Sequence, residues 1–368
     1  MNPYPRTWVE VDLPALAGNL ALVRAAIADP KVRVALVAKA DAYGHGLVPV
    51  SRFALQNGAD WVAVATVQEG VALRDAGVEK PIAIISPILP IEAEQAVFYR
   101  LRAPVECFET AQALSRAAVE QNSTATIHLE IETGLARFGC LPADAVGLAA
   151  QIRSLPSVGL EGISTHFSNS GRDPETTHCQ LERFHAVLDS CRGAGITFEV
   201  VHAANSAGAV RYPESRHDLV RVGLAAYGIE PYGLLGDDGR AVMSWKARVM
   251  ALRELPAGSP ISYSGTYVTT RTTRVATLGV GYGDGYPRSL SNKGVVELNG
   301  RECPVIGLVC MDQVLVDATD VPVQLGDEAT LMGRAVPAQR LADLIDTTPH
   351  EFTTRIMSRV PRRYLFGV

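Results

Sequence analysis

Lys39 closes the apolar run VRVALVAK (32–39), and its surroundings are what could make it reactive. A lysine at the end of a buried strand is partly stripped of water, which lowers its pKa and favours the free amine. A free amine can hold an aldehyde cofactor as a Schiff base. The ordinary alternative is a strand-end lysine snorkelling into solvent. Other apolar runs also end in polar side chains: Glu130, His166, Asn205, Ser206 and Arg221. Barrel enzymes gather catalytic groups at the C-terminal ends of their strands, and often bind phosphate in the loops after strands 7 and 8. Here those loops hold Asn205-Ser206-Ala207-Gly208 and Gly223-Leu224, small residues that let backbone N–H groups approach an anion.

The elements that must position these residues follow one theme. Short, β-branched apolar runs occupy residues 32–39, 61–66, 81–86, 103–108, 126–132, 160–167, 198–205 and 217–224. Such continuous runs suit parallel strands buried on both faces. Helical patterns lie between them, for example at 67–77, ending in glycine, and at 173–195, opening with Asp-Pro. The expected fold class is therefore α/β, with an N-terminal (β/α)8 TIM barrel over residues 1–235. The segment PYGLLGDDGR reads as a linker. Beyond it, closely spaced strand patterns predict a mostly-β C-terminal domain over 236–368, with a hairpin at Asn299-Gly300. Two helices, VPAQRLADLI and TPHEFTTRIM, are expected near its end.

Composition excludes several classes of function. The 34 basic and 39 acidic residues give a net charge of -5, so no broad cationic field exists for nucleic acid or anionic lipid. Any anion site must be local. The six cysteines, Cys107, Cys140, Cys179, Cys191, Cys303 and Cys310, form no CxxC pair; a reducing, cytoplasmic setting is expected, and no metal site. The opening MNPYPRTWVEVDL lacks the apolar core of a secretory leader. No run approaches the roughly 18 apolar residues of a membrane span.

VAKADAYGHG resembles the pyridoxal-phosphate attachment motif of alanine racemases. The similarity continues through WVEVDLPALAGNL, ETGLARFG, STHFSNS, AANSAG, VRVGLAAYG, ISYSGTY, VGYGDGYPR, CMD and SRVPRRY, in that family's order. The ordered set is specific, whereas a fragment such as CMD alone is weak. The resemblance implies pyridoxal 5'-phosphate as cofactor and a homodimer with shared sites. It implies Lys39 as the Schiff-base lysine and the base on one substrate face. Tyr263 is implied as the opposite base, contributed by the partner subunit. Arg221 corresponds to the arginine at the pyridine nitrogen, and His166 to the histidine that positions it. Tyr43, Asn205, Ser206, Gly223 and Leu224 correspond to the cofactor and phosphate region. Arg137 and Met311 are implied to hold the substrate carboxylate, Met311 again from the partner. Tyr282 corresponds to a gate tyrosine, and Asp312 and Glu130 to orienting residues. D-alanine formed this way implies a role in building peptidoglycan.

The chemistry suits those residue types. Racemisation removes an α-proton and returns one to the other face, so two bases suffice once the cofactor accepts the electrons. A tyrosine, with an ordinary pKa of about 10, needs nearby positive charge or hydrogen bonds for that work. An arginine at the ring nitrogen donates a hydrogen bond and stays protonated itself. Two positions depart from the family pattern. Glu130 stands where many members carry a carbamylated lysine, and is expected to orient Arg137 in its place. Ser358 stands where some members place a phosphate-binding tyrosine, and it is too short to make that contact unaided.

Taken singly, each residue has a bland reading. His166 would be a core histidine, Tyr263 an interface aromatic, and Arg137 an ion-pair partner of Glu130 or Glu132. Ser206 would be a helix cap, Met311 core filler and His45 a structural residue. Other functions to be weighed are a racemase of broader specificity or one acting on serine or basic amino acids, a fold-related decarboxylase, and a non-catalytic pyridoxal-phosphate carrier. The Tyr263 motif and CMD speak against the decarboxylase, and the second domain against the carrier.

Overall fold

In a computed structural model describing residues 4–367, each of the eight apolar runs coincides with or overlaps one parallel strand. The strands are Arg33–Val37, Trp61–Val64, Ile82–Ile84, Ala103–Val105, Ala125–Glu130, Val158–Ser164, Val200–His202 and Leu219–Val222. They form two parallel four-stranded sheets. The bridge between Ala83 and Arg102 closes one seam. Backbone bonds from Asp218 to Val201 and from Arg221 to Ala204 close the other. Ala35, Val37, Trp61, Ala63, Ala83, Val200 and Leu219 fill the interior. Helices cover the outside, so both strand faces are apolar, as the continuous runs require. The helix Val67–Asp75 starts from a capping box of Thr66 and Glu69, and Pro174–Gly193 from Asp173, whose side chain accepts from the Thr176 amide. This is the expected TIM barrel.

The C-terminal region is mostly β, again as expected. Its hub is the long strand Met243–Leu255, which pairs antiparallel with Thr273–Leu278 and Glu328–Met332. The hairpin Val295–Leu298/Arg301–Pro304 turns at Asn299 and Gly300, both at positive φ (48° and 77°), the geometry a two-residue hairpin needs. Both expected helices form, as Ala338–Asp343 and Pro349–Thr354. One feature was not expected: the opening strand Thr7–Asp12 belongs to this sheet, antiparallel to Met243–Leu255 and parallel to Arg362–Leu365. Trp8, Val9 and Val11 are fully buried there, and the Trp8 ring lies beneath the guanidinium groups of Arg248 and Arg363. The six cysteines are free, and no helix among the described residues is long and apolar enough to cross a membrane.

Candidate active site

The first barrel strand delivers Lys39 into a cavity of 170 Å³ at the C-terminal end of the barrel. Tyr43, His166, Asn205, Ser206, Arg221, Gly223 and Leu224 line the same cavity. A larger cleft of 630 Å³ lies between the two domains, but it gathers carboxylates such as Glu10, Asp12 and Glu230 without a nucleophile or base of the expected kind. The convergence at Lys39, rather than cleft size, marks the candidate site. Burial, followed by the charge of Arg137, lowers the Lys39 pKa, so its amine deprotonates more readily than a free lysine.

The backbone after Lys39 takes an unusual course. Ala40, Asp41, Ala42 and Tyr43 all have φ between 53° and 56°, a left-handed turn completed by Gly44 at 81°. L-residues resist this conformation by roughly 1–2 kcal/mol each, so neighbours must hold it. Glu69 accepts from the Ala40 amide (2.6 Å), and Asp41 from the Leu47 amide (2.7 Å). His45, fully buried, places Nδ1 2.9 Å from the Ala42 carbonyl and 3.0 Å from that of Tyr43. Carbonyls only accept, so Nδ1 carries the proton; burial holds the ring neutral by lowering its pKa to about 4. Arg362, from the C-terminal domain, donates to the Gly44 carbonyl. The turn swings Tyr43 back over the cavity beside Lys39.

Arg221 is 4% exposed, and its terminal nitrogens are committed to the barrel. Nη1 donates to His202 Nδ1 (2.7 Å) and to the His202 carbonyl. Nη2 donates to the Thr165 carbonyl (2.7 Å), His166 Nδ1 (3.1 Å) and the Ala203 carbonyl. Its Nε–H has no partner among the described residues, and the side chain lines the cavity. Because arginine only donates, His166 accepts at Nδ1 and must carry its proton on Nε2. Burial first, then Arg221, holds the His166 pKa well below its usual value, so the ring stays neutral.

At the opposite side of the cavity, Asn205 caps the short helix Ser206–Arg211 by accepting from the Gly208 amide. The cap is therefore Asn205 and not Ser206. The Ser206 hydroxyl accepts from the amides of Gly223 (3.1 Å) and Ala225 (3.3 Å), which leaves its own proton free to donate. Gly223 keeps this side open: a Cβ there would fall 2.9 Å from the Tyr43 hydroxyl and push it aside. Burial pushes the Tyr43 pKa up to about 12, so the phenol remains a donor.

Glu130 and Arg137 share a small cavity with Lys39, His166 and Arg221. Glu130 accepts from the Ser164 hydroxyl, and burial raises its pKa against the pull of Arg221, Ser164 and Arg137. No hydrogen bond or ion pair joins Glu130 to Arg137 among the described residues; the Arg137 guanidinium lies 4.7 Å from the Phe138 ring centre. Ser358 is exposed and does not line the Lys39 cavity.

Four expected site residues, Tyr263, Met311, Tyr282 and Asp312, lie elsewhere in the chain. Tyr263 is 70%, Met311 54% and Tyr282 40% exposed, all on the C-terminal domain and none at the Lys39 cavity. Met311 is thus no core filler. The Tyr282 turn and the Met311 turn are laced together, with Tyr282 N donating to the Cys310 carbonyl (3.0 Å) and Gly283 N to that of Met311 (2.8 Å). Buried Asp284 accepts from Arg359 (2.7 Å) and from the Gly281 amide. Asp312 accepts from Arg359 (2.7 Å) and Arg6 (3.0 Å). The Ser262 hydroxyl, beside Tyr263, donates to the Leu308 carbonyl (2.7 Å).

Several contributors escaped the sequence reading: Glu69, which anchors the Lys39 turn, His202, which seats Arg221, and Tyr232, which lines the cavity. His202 had a detectable signal, a polar residue inside the otherwise apolar run FEVVHAAN. Glu69 and Tyr232 had none, since one opens an ordinary amphipathic helix and the other lies in a linker.

Comparisons with known proteins identify the family. The family model described as alanine racemase, N-terminal domain, matches residues 11–231, and that for the C-terminal domain matches 242–364. The alanine racemase of Halothermothrix orenii is 40% identical over 366 residues, covering 97% of this chain and 96% of the relative. That of Symbiobacterium thermophilum is 41% identical over 366 residues, covering 97% of each. The crystal structure of the alanine racemase from Streptomyces lavendulae superposes with a TM-score of 0.93 at 35% identity, covering 100% of this chain and 99% of that one. The Bartonella henselae enzyme, solved with covalently bound pyridoxal phosphate, gives 0.89 at 27% identity, covering 98% and 100%. The chain therefore belongs to the alanine racemase family of pyridoxal-phosphate-dependent isomerases.

Proposed function

We propose that this protein interconverts L-alanine and D-alanine as a homodimer. In each site Lys39 serves one face of the substrate, and the partner subunit's Tyr263 serves the other. The observation that carries this reading is one cavity containing a lysine amine of lowered pKa, an unpartnered Arg221 Nε–H and a Ser206 hydroxyl with its proton to give.

The donor set suits pyridoxal phosphate. Lys39 matches its aldehyde, Arg221 its ring nitrogen, and Tyr43 and Ser206, with the backbone near Gly223 and Leu224, its phosphate. Gly223 leaves open the space that a Cβ would fill against Tyr43. The bound cofactor supplies an electron sink that makes the α-proton removable. Lys39 Nζ takes or returns that proton on one face. The partner subunit's Tyr263 does the same at its hydroxyl oxygen on the other. Arg221 offers a hydrogen bond but no proton, because a guanidinium is not deprotonated in this range. His166 keeps its Nε2–H toward the cavity. Arg137, with Glu130 close by, and the partner subunit's Met311 hold the substrate carboxylate, Asp312 fixes the Met311 turn, and Tyr282 guards access.

Exposure of Tyr263, Met311 and Tyr282 on one face supports the dimer, since proton transfer at an open surface would be quenched by water. We further infer a barrel unit over 1–235 and a C-terminal unit over 236–368, joined through the opening strand. The free cysteines suit a reducing, cytoplasmic setting, and we infer a role in supplying D-alanine for peptidoglycan. The test is spectroscopic and chemical. Purified protein should carry a visible absorption band that borohydride bleaches while labelling Lys39, and it should turn L-alanine into racemate. Protein that stays colourless after reconstitution and leaves L-alanine unchanged contradicts the proposal.

A further inference from the structure

Arg221 ends a hydrogen-bonded column that runs through the barrel interior. His202 Nδ1 is 2.7 Å from Arg221 Nη1, and His202 Nε2 is 2.8 Å from His128 Nδ1. His128 Nε2 is 2.8 Å from a Glu161 carboxylate oxygen, and Arg102 donates to the same carboxylate from the far side at 3.1 Å. The fold makes room for this column. A Cβ on Gly162 would fall 2.7 Å from His128 Nδ1, so the strand neighbour must be glycine. Trp61 walls the column, its ring centre 6.0 Å from that of His128 and 5.0 Å from the Arg102 guanidinium.

Donor counting fixes every proton in it. Arginine only donates, so His202 Nδ1 must accept and His202 carries its proton on Nε2. That proton points at His128 Nδ1, which must therefore accept. His128 is left with its proton on Nε2, aimed at a carboxylate that only accepts. All bonds then run in one direction, from the Arg221 cation to the Glu161 anion. A further proton on either imidazole would put two N–H groups face to face. Burial lowers the pKa of both histidines, in keeping with neutral rings.

We propose that His202, His128 and Glu161 are positioning residues that lock Arg221 at its cofactor-facing orientation through a one-way chain of hydrogen bonds. The proposal rests on the reading of Arg221 as the residue at the cofactor ring nitrogen. A chain of aligned bonds strengthens each member, and it leaves the guanidinium one way to lie, with Nε–H toward the cavity.

The full chain labelled with 15N-histidine tests it directly. His128 and His202 should both appear as neutral rings protonated on Nε2 across about pH 6 to 8, a range in which a free histidine titrates. An Nδ1–H or doubly protonated form at either position overturns the column. A second measurement uses His128→Leu and His128→Gln. The leucine breaks the chain, whereas the amide can both accept and donate. His128→Leu should weaken pyridoxal phosphate binding by roughly tenfold or more in equilibrium dialysis, as expected for a truncated partner in a buried charged network. His128→Gln should stay within about threefold of wild type, the difference between an unmade and a remade bond. Equal cofactor affinity in His128→Leu and wild type overturns the positioning role. Borohydride labelling of Lys39 in wild type reads the cofactor assignment separately, and the tautomers decide the column whichever way that comes out, even where His128→Leu does not fold.

Discussion

The barrel half of the proposed site and its C-terminal half are built to opposite plans. At the barrel mouth, every functional group is seated by its own chain: Arg221 by five acceptors, Lys39 by a turn pinned through Glu69 and Arg362, Ser206 by two amides. On the C-terminal domain, Tyr263, Met311 and Tyr282 sit on turns that are just as firmly braced, yet their side chains face outward. The first half is complete within this chain; in the proposed dimer the second serves the partner subunit's site. Cofactor binding should therefore survive damage to the second half, whereas the proton relay should not.

The largest effect expected to sharpen that contrast is on rate. Tyr263→Phe should lower kcat by about a hundredfold to ten-thousandfold, the usual contribution of a positioned acid or base, while cofactor content stays at the wild-type level. Steady-state kinetics and the visible spectrum of the same sample check both statements. A smaller effect is expected behind the presented turns. Asp284→Asn removes the buried charge that pairs with Arg359 and approaches Arg6, both partly exposed. It should cost about 2 kcal/mol, less than a fully buried pair because solvent screens the arginines. It should also raise the KM for alanine through the Met311 turn without loss of cofactor, which urea unfolding and kinetics would read. The smallest effect lies at the left-handed turn. Ala40, at φ 53°, strains a conformation that glycine adopts freely. Ala40→Gly should stabilise the protein by roughly 0.5 kcal/mol, a relief of strain offset in part by unfolded-chain entropy, and a lower urea midpoint would contradict this.

The barrel was legible because strands buried on both faces leave unbroken apolar runs, and each run met one strand. Asn299-Gly300 was legible for a local reason, both residues tolerating positive φ. The opening strand was not, because nothing in TWVEVD says which sheet receives it; that shows only in the fold, where buried Trp8 meets the guanidinium groups of Arg248 and Arg363. Nor was the turn at Ala40–Tyr43, since alanine carries no preference for left-handed backbone and the strain is held by residues far along the chain. In the site, Lys39, Arg221 and Ser206 were visible as polar ends of apolar runs. The Glu161–His128–His202 column was visible only as odd polar letters inside such runs, and distances were needed to join them. Glu130 was expected to orient Arg137; the single chain shows it bonded to Ser164, with Arg137 near but not joined.

The most direct test of two half-sites mixes two dead proteins. Lys39→Ala and Tyr263→Phe, each almost inactive alone, should regain activity when unfolded together and refolded. Mixed dimers then hold one site with both Lys39 and the partner subunit's Tyr263. About a quarter of wild-type activity is expected for random pairing, since half the dimers are mixed and each has one intact site. Activity that stays at the level of the two separate variants, with mixed dimers demonstrably present, would contradict a site shared between subunits.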